Sequence, residues 1–178
     1  ILLGGPGGSA KSYAMLDLAI CVALGKPWLN MPVTKTPVLI VDLENRRLYE
    51  RDRAARVMKG RGLEIAPDVR VAFDLDVGLD KDAVADEVAF LTLEWNPVLI
   101  ILGSLVDMLG DAEENSNGDM GAATKRLRHV ADKTSATVIV IHHTPKKSSW
   151  TPRGASALRN GVDVNILVER EGGILRFK

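Results

Sequence analysis

Lys11 and Ser12 are the residues of this 178-residue chain best placed by type and spacing to do chemistry. They close the stretch Ile1–Ser12, ILLGGPGGSAKS, in which a short apolar run leads into a glycine-rich loop. Counted from Gly5, the loop approaches the phosphate-binding pattern G-x-x-x-x-G-K-[ST], with Ala10 where the last glycine belongs. Gly5, Gly7, Gly8, Ser9 and Ala10 would let successive N–H groups turn into one anion-sized nest. The helix that follows adds the positive end of its dipole. In such a loop Lys11 reaches the β- and γ-phosphates of ATP and the Ser12 hydroxyl holds Mg²⁺.

Hydrolysis on such a loop also needs a group that addresses water, a metal ligand and a group that senses the γ-phosphate. Glu44, at the end of the run PVLIVDLE, is placed to act on an attacking water, although it also suits the start of the next helix. His142 closes the run ATVIVI and is placed to touch the γ-phosphate or to relay its loss; a structural histidine fits the same position. The pair His142-His143 gives no zinc pattern, because neighbours on an extended chain point to opposite faces and no third ligand stands at a recognisable spacing. The run PVLIIL ends in Gly103-Ser104, where a P-loop ATPase normally carries a metal-holding aspartate. Asp42 is the weak alternative for the metal, and Asp107 is the other nearby carboxylate.

The elements that must position these groups follow from periodicity. Helices are expected over Lys11–Leu24, closed by Gly25; over about Arg46–Arg61; over Asp80–Trp95, capped by Asp80; and over about Asp119–Thr134. Continuous apolar runs at 37–44 (ending in acids), 97–102 and 136–141 read as buried parallel strands, and Val69–Phe73 as a short or edge strand. A short helix or turn is expected at 153–161, and strands at 162–168 and from Ile174. Strands alternating with helices mean an α/β fold, a mostly parallel sheet covered on both faces. Ligands then sit beyond the C-terminal strand ends, where the loop at 4–12, Asp42/Glu44, Gly103/Ser104 and His142/His143 gather.

Length and composition bound the rest. One domain spanning 1–178 is expected, cut at both ends, since Ile1 begins inside a strand-like run. The 23 basic and 23 acidic residues cancel, so any nucleic-acid binding must come from local patches. The one cysteine, Cys21, excludes an internal disulfide and suits a reducing compartment. No apolar stretch is long enough to cross a membrane as a helix, and a cytoplasmic location, in a bacterial or phage-infected cell, is expected.

Taken together, the segments GGPGGSAKS, ALGKPWLN, VLIVDLENRR, PVLIILGSLVDMLGDAEENSN, ATVIVIHHTPK and RGASALRNGVDVNILVER resemble RecA-fold P-loop ATPases of the plasmid RepA helicase type, and more distantly DnaB and RecA. The resemblance covers essentially the whole chain. It implies a RecA-like sheet, ATP and Mg²⁺ as cofactors, Lys11 and Ser12 as the phosphate and metal residues, Glu44 as catalytic glutamate and His142 as sensor. Gly103 stands at the Walker B aspartate. The resemblance further implies a hexameric ring whose loop 145–152 faces single-stranded DNA, with Lys146, Lys147 and Arg153 as backbone contacts. A finger arginine would come from a neighbouring subunit, with Arg153 or Arg159 as candidates. Two functions follow: the motor core of a DNA helicase or DNA-translocating ATPase in plasmid or phage replication, or, given Ala10 and Gly103, a nucleotide-binding module with little or no hydrolysis that acts as scaffold or regulator. A small-molecule kinase fits less well, because no arginine-rich lid or acceptor pocket is evident.

Overall fold

A computed structural model describes residues 1–64, 67–76, 78–144 and 155–178. In chain order the elements are β1 (Leu2–Pro6), α1 (Lys11–Leu24), β2 (Val38–Asp42), α2 (Arg47–Gly60), β3 (Val69–Ala72), α3 (Val84–Phe90), β4 (Leu99–Gly103), α4 (Asn117–Thr134), β5 (Thr137–Thr144), α5 (Ala155–Asn160), β6 (Asn165–Glu171) and β7 (Ile174–Phe177), with one 3₁₀ turn at Val106–Met108. Among the described residues the strands form one sheet in the order β3-β2-β4-β5-β1-β6-β7. All pairings are parallel except β6 with β7.

Alternation along the strands divides the core into two layers. Leu2, Val41, Ile100, Leu102 and Val140 face Val84, Val88, Met120 and Leu127 of α3 and α4. Leu3, Ile40, Ile101, Ile139 and Ile141 face Ala19, Ile20 and Ala23 of α1. The sheet is thus covered on both sides, which is why its central strands carry unbroken apolar runs. This is the RecA-like P-loop NTPase fold expected from the sequence. Its topology has one consequence for the site: β5 lies between β1 and β4, so the two histidines at its end stand between the glycine-rich loop and Gly103.

Most element limits fall within a residue or two of expectation. Gly25 adopts φ 68° and donates its N–H to the carbonyls of Cys21 and Val22, ending α1 as a left-handed C-cap. The helix expected over Asp80–Trp95 is shorter. Only Val84–Phe90 is α-helical, and Asp80 does not cap it. Leu79 N–H donates to Met108 O at 2.6 Å, which ties the preceding segment to the turn after β4. At the other end Thr92 Oγ1 donates to Ala89 O, Asn96 takes φ 44°, and Pro97 disfavours a helical residue before it. The helix expected from Asp119 begins at Asn117, because Ser116 caps it by accepting the Asp119 N–H at 3.2 Å. No helix of the described residues is long and apolar enough to cross a membrane.

Candidate functional site

The loop between β1 and α1 closes around its own lysine. Lys11, 3% exposed, donates from Nζ to Gly5 O (2.7 Å), Pro6 O (3.0 Å) and Ser9 Oγ (3.3 Å). These are acceptors that a phosphate oxygen would replace. Burial lowers the Lys11 pKa to about 8, against the attraction of Glu44, which raises it. The ammonium is therefore held partly desolvated at the mouth of the loop, where an anion gains most from it.

The loop's backbone is that of an anion nest. Gly8 takes φ 77° and Ala10 takes φ 63°, ψ 24°, so both lie in the left-handed region. At Ala10 this answers what sequence leaves open: the backbone there is of the kind glycine adopts freely, and the methyl is carried at a conformational cost of ~1 kcal/mol. Gly5 is required for space instead, since a Cβ there would lie 2.4 Å from the Val168 carbonyl oxygen.

Above the loop opens a pocket of about 230 Å³, lined by Gly8, Ser9, Ala10, Lys11, Ser12, Tyr13, Glu44, Arg53, His143 and Arg170. Glu44 projects into it from beyond β2, and His143 from β5. His143 Nδ1 lies 3.5 Å from Lys11 Nζ, and its Nε2 lies 3.7 Å from Glu44 Oε2. Lysine, histidine and glutamate thus form one chain of polar contacts across the pocket.

His142 sits on the other face of the sheet. It is 2% exposed, its Nε2 lies 3.6 Å from Glu114 Oε1, and its buried Nδ1 has no hydrogen-bond partner among the described residues. Burial first, then His143 and Lys11, lower its pKa to about 4, so the ring is neutral at neutral pH. The residue that lines the loop pocket is His143 and not the expected His142. The period-2 alternation that argues against a two-histidine metal site also decides this, but which face carries the pocket depends on strand order.

A second, smaller cleft of about 30 Å³ lies beside the first, lined among others by Ser12, Asp42, Glu44, Glu50, Gly103 and Ser104. Asp42 pairs in register with Gly103. Its Oδ1 accepts the N–H groups of Glu44 (3.1 Å) and Asn45 (3.0 Å), and both carboxylate oxygens accept from Asn45 Nδ2 at 3.1 Å. Asp42 therefore fixes the turn that presents Glu44. Asp107 is exposed, accepts from Ser104 Oγ at 2.9 Å and does not line the cleft.

Arg53, Arg170, Tyr13 and Glu50 were not singled out from sequence. Arg53 belongs to a charged helix that reads as a solvated face, yet it reaches the pocket, pairs with Glu50 and lies over the Tyr13 and Tyr49 rings. Burial raises the Glu50 pKa; the Arg53 charge opposes this, and Asp42 adds to it. Of the other expected site residues, Arg159 lies half-buried on α5 and does not line the loop pocket. Lys146, Lys147 and Arg153 lie outside the described residues. Among the described residues no group of three or more His, Cys, Asp or Glu side chains is arranged to hold a metal ion by itself.

A mostly parallel sheet with a strand-loop-helix nest beyond the C-terminal end of an inner strand, a buried lysine within it and a carboxylate across from it defines a P-loop nucleotide-binding protein. Comparison with protein families agrees: the AAA domain model matches residues 1–149, and the chain belongs to that family. ATPase-type nucleotide binding is its functional class. No curated protein matches the chain.

Proposed function

We propose that the chain is the ATP-binding and ATP-hydrolysing motor core of a DNA helicase or DNA-translocating ATPase of the RepA and DnaB type. The observation that carries this is the approach of Glu44, through His143, to the lysine of the phosphate loop. Phosphoryl transfer to water needs little beyond positioning and charge. The nest and Lys11 bind the phosphate chain. Glu44, anchored by the Asp42 turn, orients and deprotonates water. His143 joins the two groups and is the side chain within reach of a change at the γ-phosphate. Ser12 would hold Mg²⁺, which supplies charge neutralisation of the phosphate oxygens when bound.

The finer parts of this reading rest on the sequence resemblance. They are a hexameric ring, single-stranded DNA held by the 145–152 loop through Lys146, Lys147 and Arg153, and a neighbour's Arg153 or Arg159 completing the site. Phosphate contacts of that kind are sequence-independent and salt-sensitive.

A second reading, a nucleotide-binding module with slow turnover that acts as scaffold or regulator, is favoured by Gly103 and by the left-handed Ala10. One experiment separates them: ATP hydrolysis, with and without single-stranded DNA, by the wild type and by Gly103→Asp. A Cβ at Gly103 would lie 3.3 Å from Ile141 Cδ1, so the change needs that side-chain end to shift by a few tenths of an ångström. DNA-stimulated turnover in the wild type supports the motor. Turnover only in Gly103→Asp supports the module. Turnover in neither overturns the motor reading.

A further inference from the structure

Helix α2 packs on the domain through Ala54, Val57 and Met58. Glu50 stands one turn ahead of Ala54 on the same stripe, where an apolar residue belongs. It is the one buried residue of α2, at 8% exposure. An acid so placed costs desolvation energy, and a single arginine offsets only part of it. Its position shows what the acid faces. Glu50 lines the 30 Å³ cleft together with Ser12, Asp42 and the bare backbone of Gly103. The strand end has no carboxylate where a P-loop ATPase needs one, and the helix opposite carries one into the same cleft.

We infer that Glu50 is the acidic group serving the divalent cation of a bound nucleoside triphosphate, taking the part that Gly103 leaves without a side chain. The inference rests on the ATP reading above. Mg²⁺ keeps several of its waters and is bound through one or two carboxylates together with substrate phosphates. A cleft of about 30 Å³ holds a water or two and no larger group. Glu50 is thus an acceptor for the cation's water shell, and a positioning residue for the phosphates. Asp42 also lines the cleft, but its oxygens are engaged by Asn45 and by the turn, and Glu44, the third carboxylate there, is the one assigned to water; Glu50 is the one supplied from the helix facing Gly103. Arg53 pairs with Glu50 and also lines the phosphate pocket, so the cation cleft and the phosphate pocket share one ion pair.

The test is the gain in ATP affinity on adding Mg²⁺, measured by calorimetry against an EDTA control, with Mn²⁺ binding followed by electron paramagnetic resonance. Wild type, Glu50→Gln and Glu50→Gln/Gly103→Asp are compared. Glu50→Gln should lose about tenfold or more of the metal-dependent gain, read as the ratio of ATP affinities with and without Mg²⁺ within each variant, in the range that groups outside the ligand sphere contribute. The double variant, with its carboxylate returned to the strand end, should recover the gain and the Mn²⁺ signal. A wild-type metal response in Glu50→Gln overturns the assignment alone. Failure of the folded double variant to recover it does the same. Absence of ATP binding by the wild type, with or without metal, overturns the nucleotide reading and this one with it.

Discussion

Lys11 Nζ and His143 Nδ1 lie 3.5 Å apart, one on the phosphate loop and the other at the end of β5. Gly5 and His143 are register partners across β1 and β5, so the contact is set by strand pairing and not by a mobile side chain alone. In the proposed reading it joins the group that would bind phosphate to the strand that would report its departure.

Two opposite pH trends follow from Lys11. Its folded pKa, about 8, is below the ordinary lysine value of 10.5. Between these values the unfolded chain binds the extra proton, so Lys11 makes conformational stability rise with pH through that window. Phosphate binding needs the ammonium, so nucleotide affinity should fall above about pH 8. Thermal melts and nucleotide titrations from pH 7 to 10 check both. Lys11→Met should remove both trends, binding nucleotide weakly at every pH.

Ala10→Gly should stabilise the free protein by up to about 1 kcal/mol, because it relieves the left-handed strain of an L-residue while adding unfolded-state entropy. Urea denaturation measures this. Nucleotide affinity should rise or hold, since the N–H groups of the nest keep their directions.

Gly5→Ala should have the opposite effect. Its Cβ would lie 2.4 Å from a backbone oxygen of β6, which cannot turn aside as a side chain can. Loss of about 1–3 kcal/mol is expected, as for other overpacked sites. Nucleotide binding should fall with it, because the Gly5 carbonyl is an anchor of Lys11.

His142 gives an acid-side prediction. Its folded pKa of about 4 is below the ordinary 6.5. The unfolded chain therefore binds the proton first, and stability contributed by the neutral ring is lost as pH falls from 6.5 toward 4. A shift of this size corresponds to roughly 3 kcal/mol at full effect. His142→Gln should flatten the loss between pH 6.5 and 4 in chemical denaturation, with nucleotide binding at neutral pH little changed.

Sequence carried the fold further than the site. Unbroken apolar runs mark the central strands because both faces of a parallel sheet are buried, and Gly25 marks the end of α1 because its left-handed cap favours glycine. The Asp80–Trp95 helix was overestimated because apolar spacing persists through Leu91 and Trp95, while hydrogen bonds at either end turn the chain out of the helix. Lys11 and Ser12, in the first turn of α1, and Glu44, beyond β2, stand out in the sequence as local motifs, and the structure sets all three around one pocket. The exchange of His142 for His143 was not legible, because alternation assigns opposite faces without saying which one the loop shares. Glu50 and Arg53 were hidden in a run of charges that reads as solvated. Only the apolar stripe at 54, 57 and 58, extended one turn back, marks Glu50 as inward.

The most direct test separates binding from turnover at one site. ATP affinity and single-turnover hydrolysis should be measured for wild type, Lys11→Ala and Glu44→Gln. Lys11→Ala should lose binding. Glu44→Gln should bind ATP about as tightly as wild type and hydrolyse it at least about 100-fold more slowly, the lower range for loss of a general base. Hydrolysis by Glu44→Gln at the wild-type rate, or ATP bound equally well by Lys11→Ala, would contradict the account.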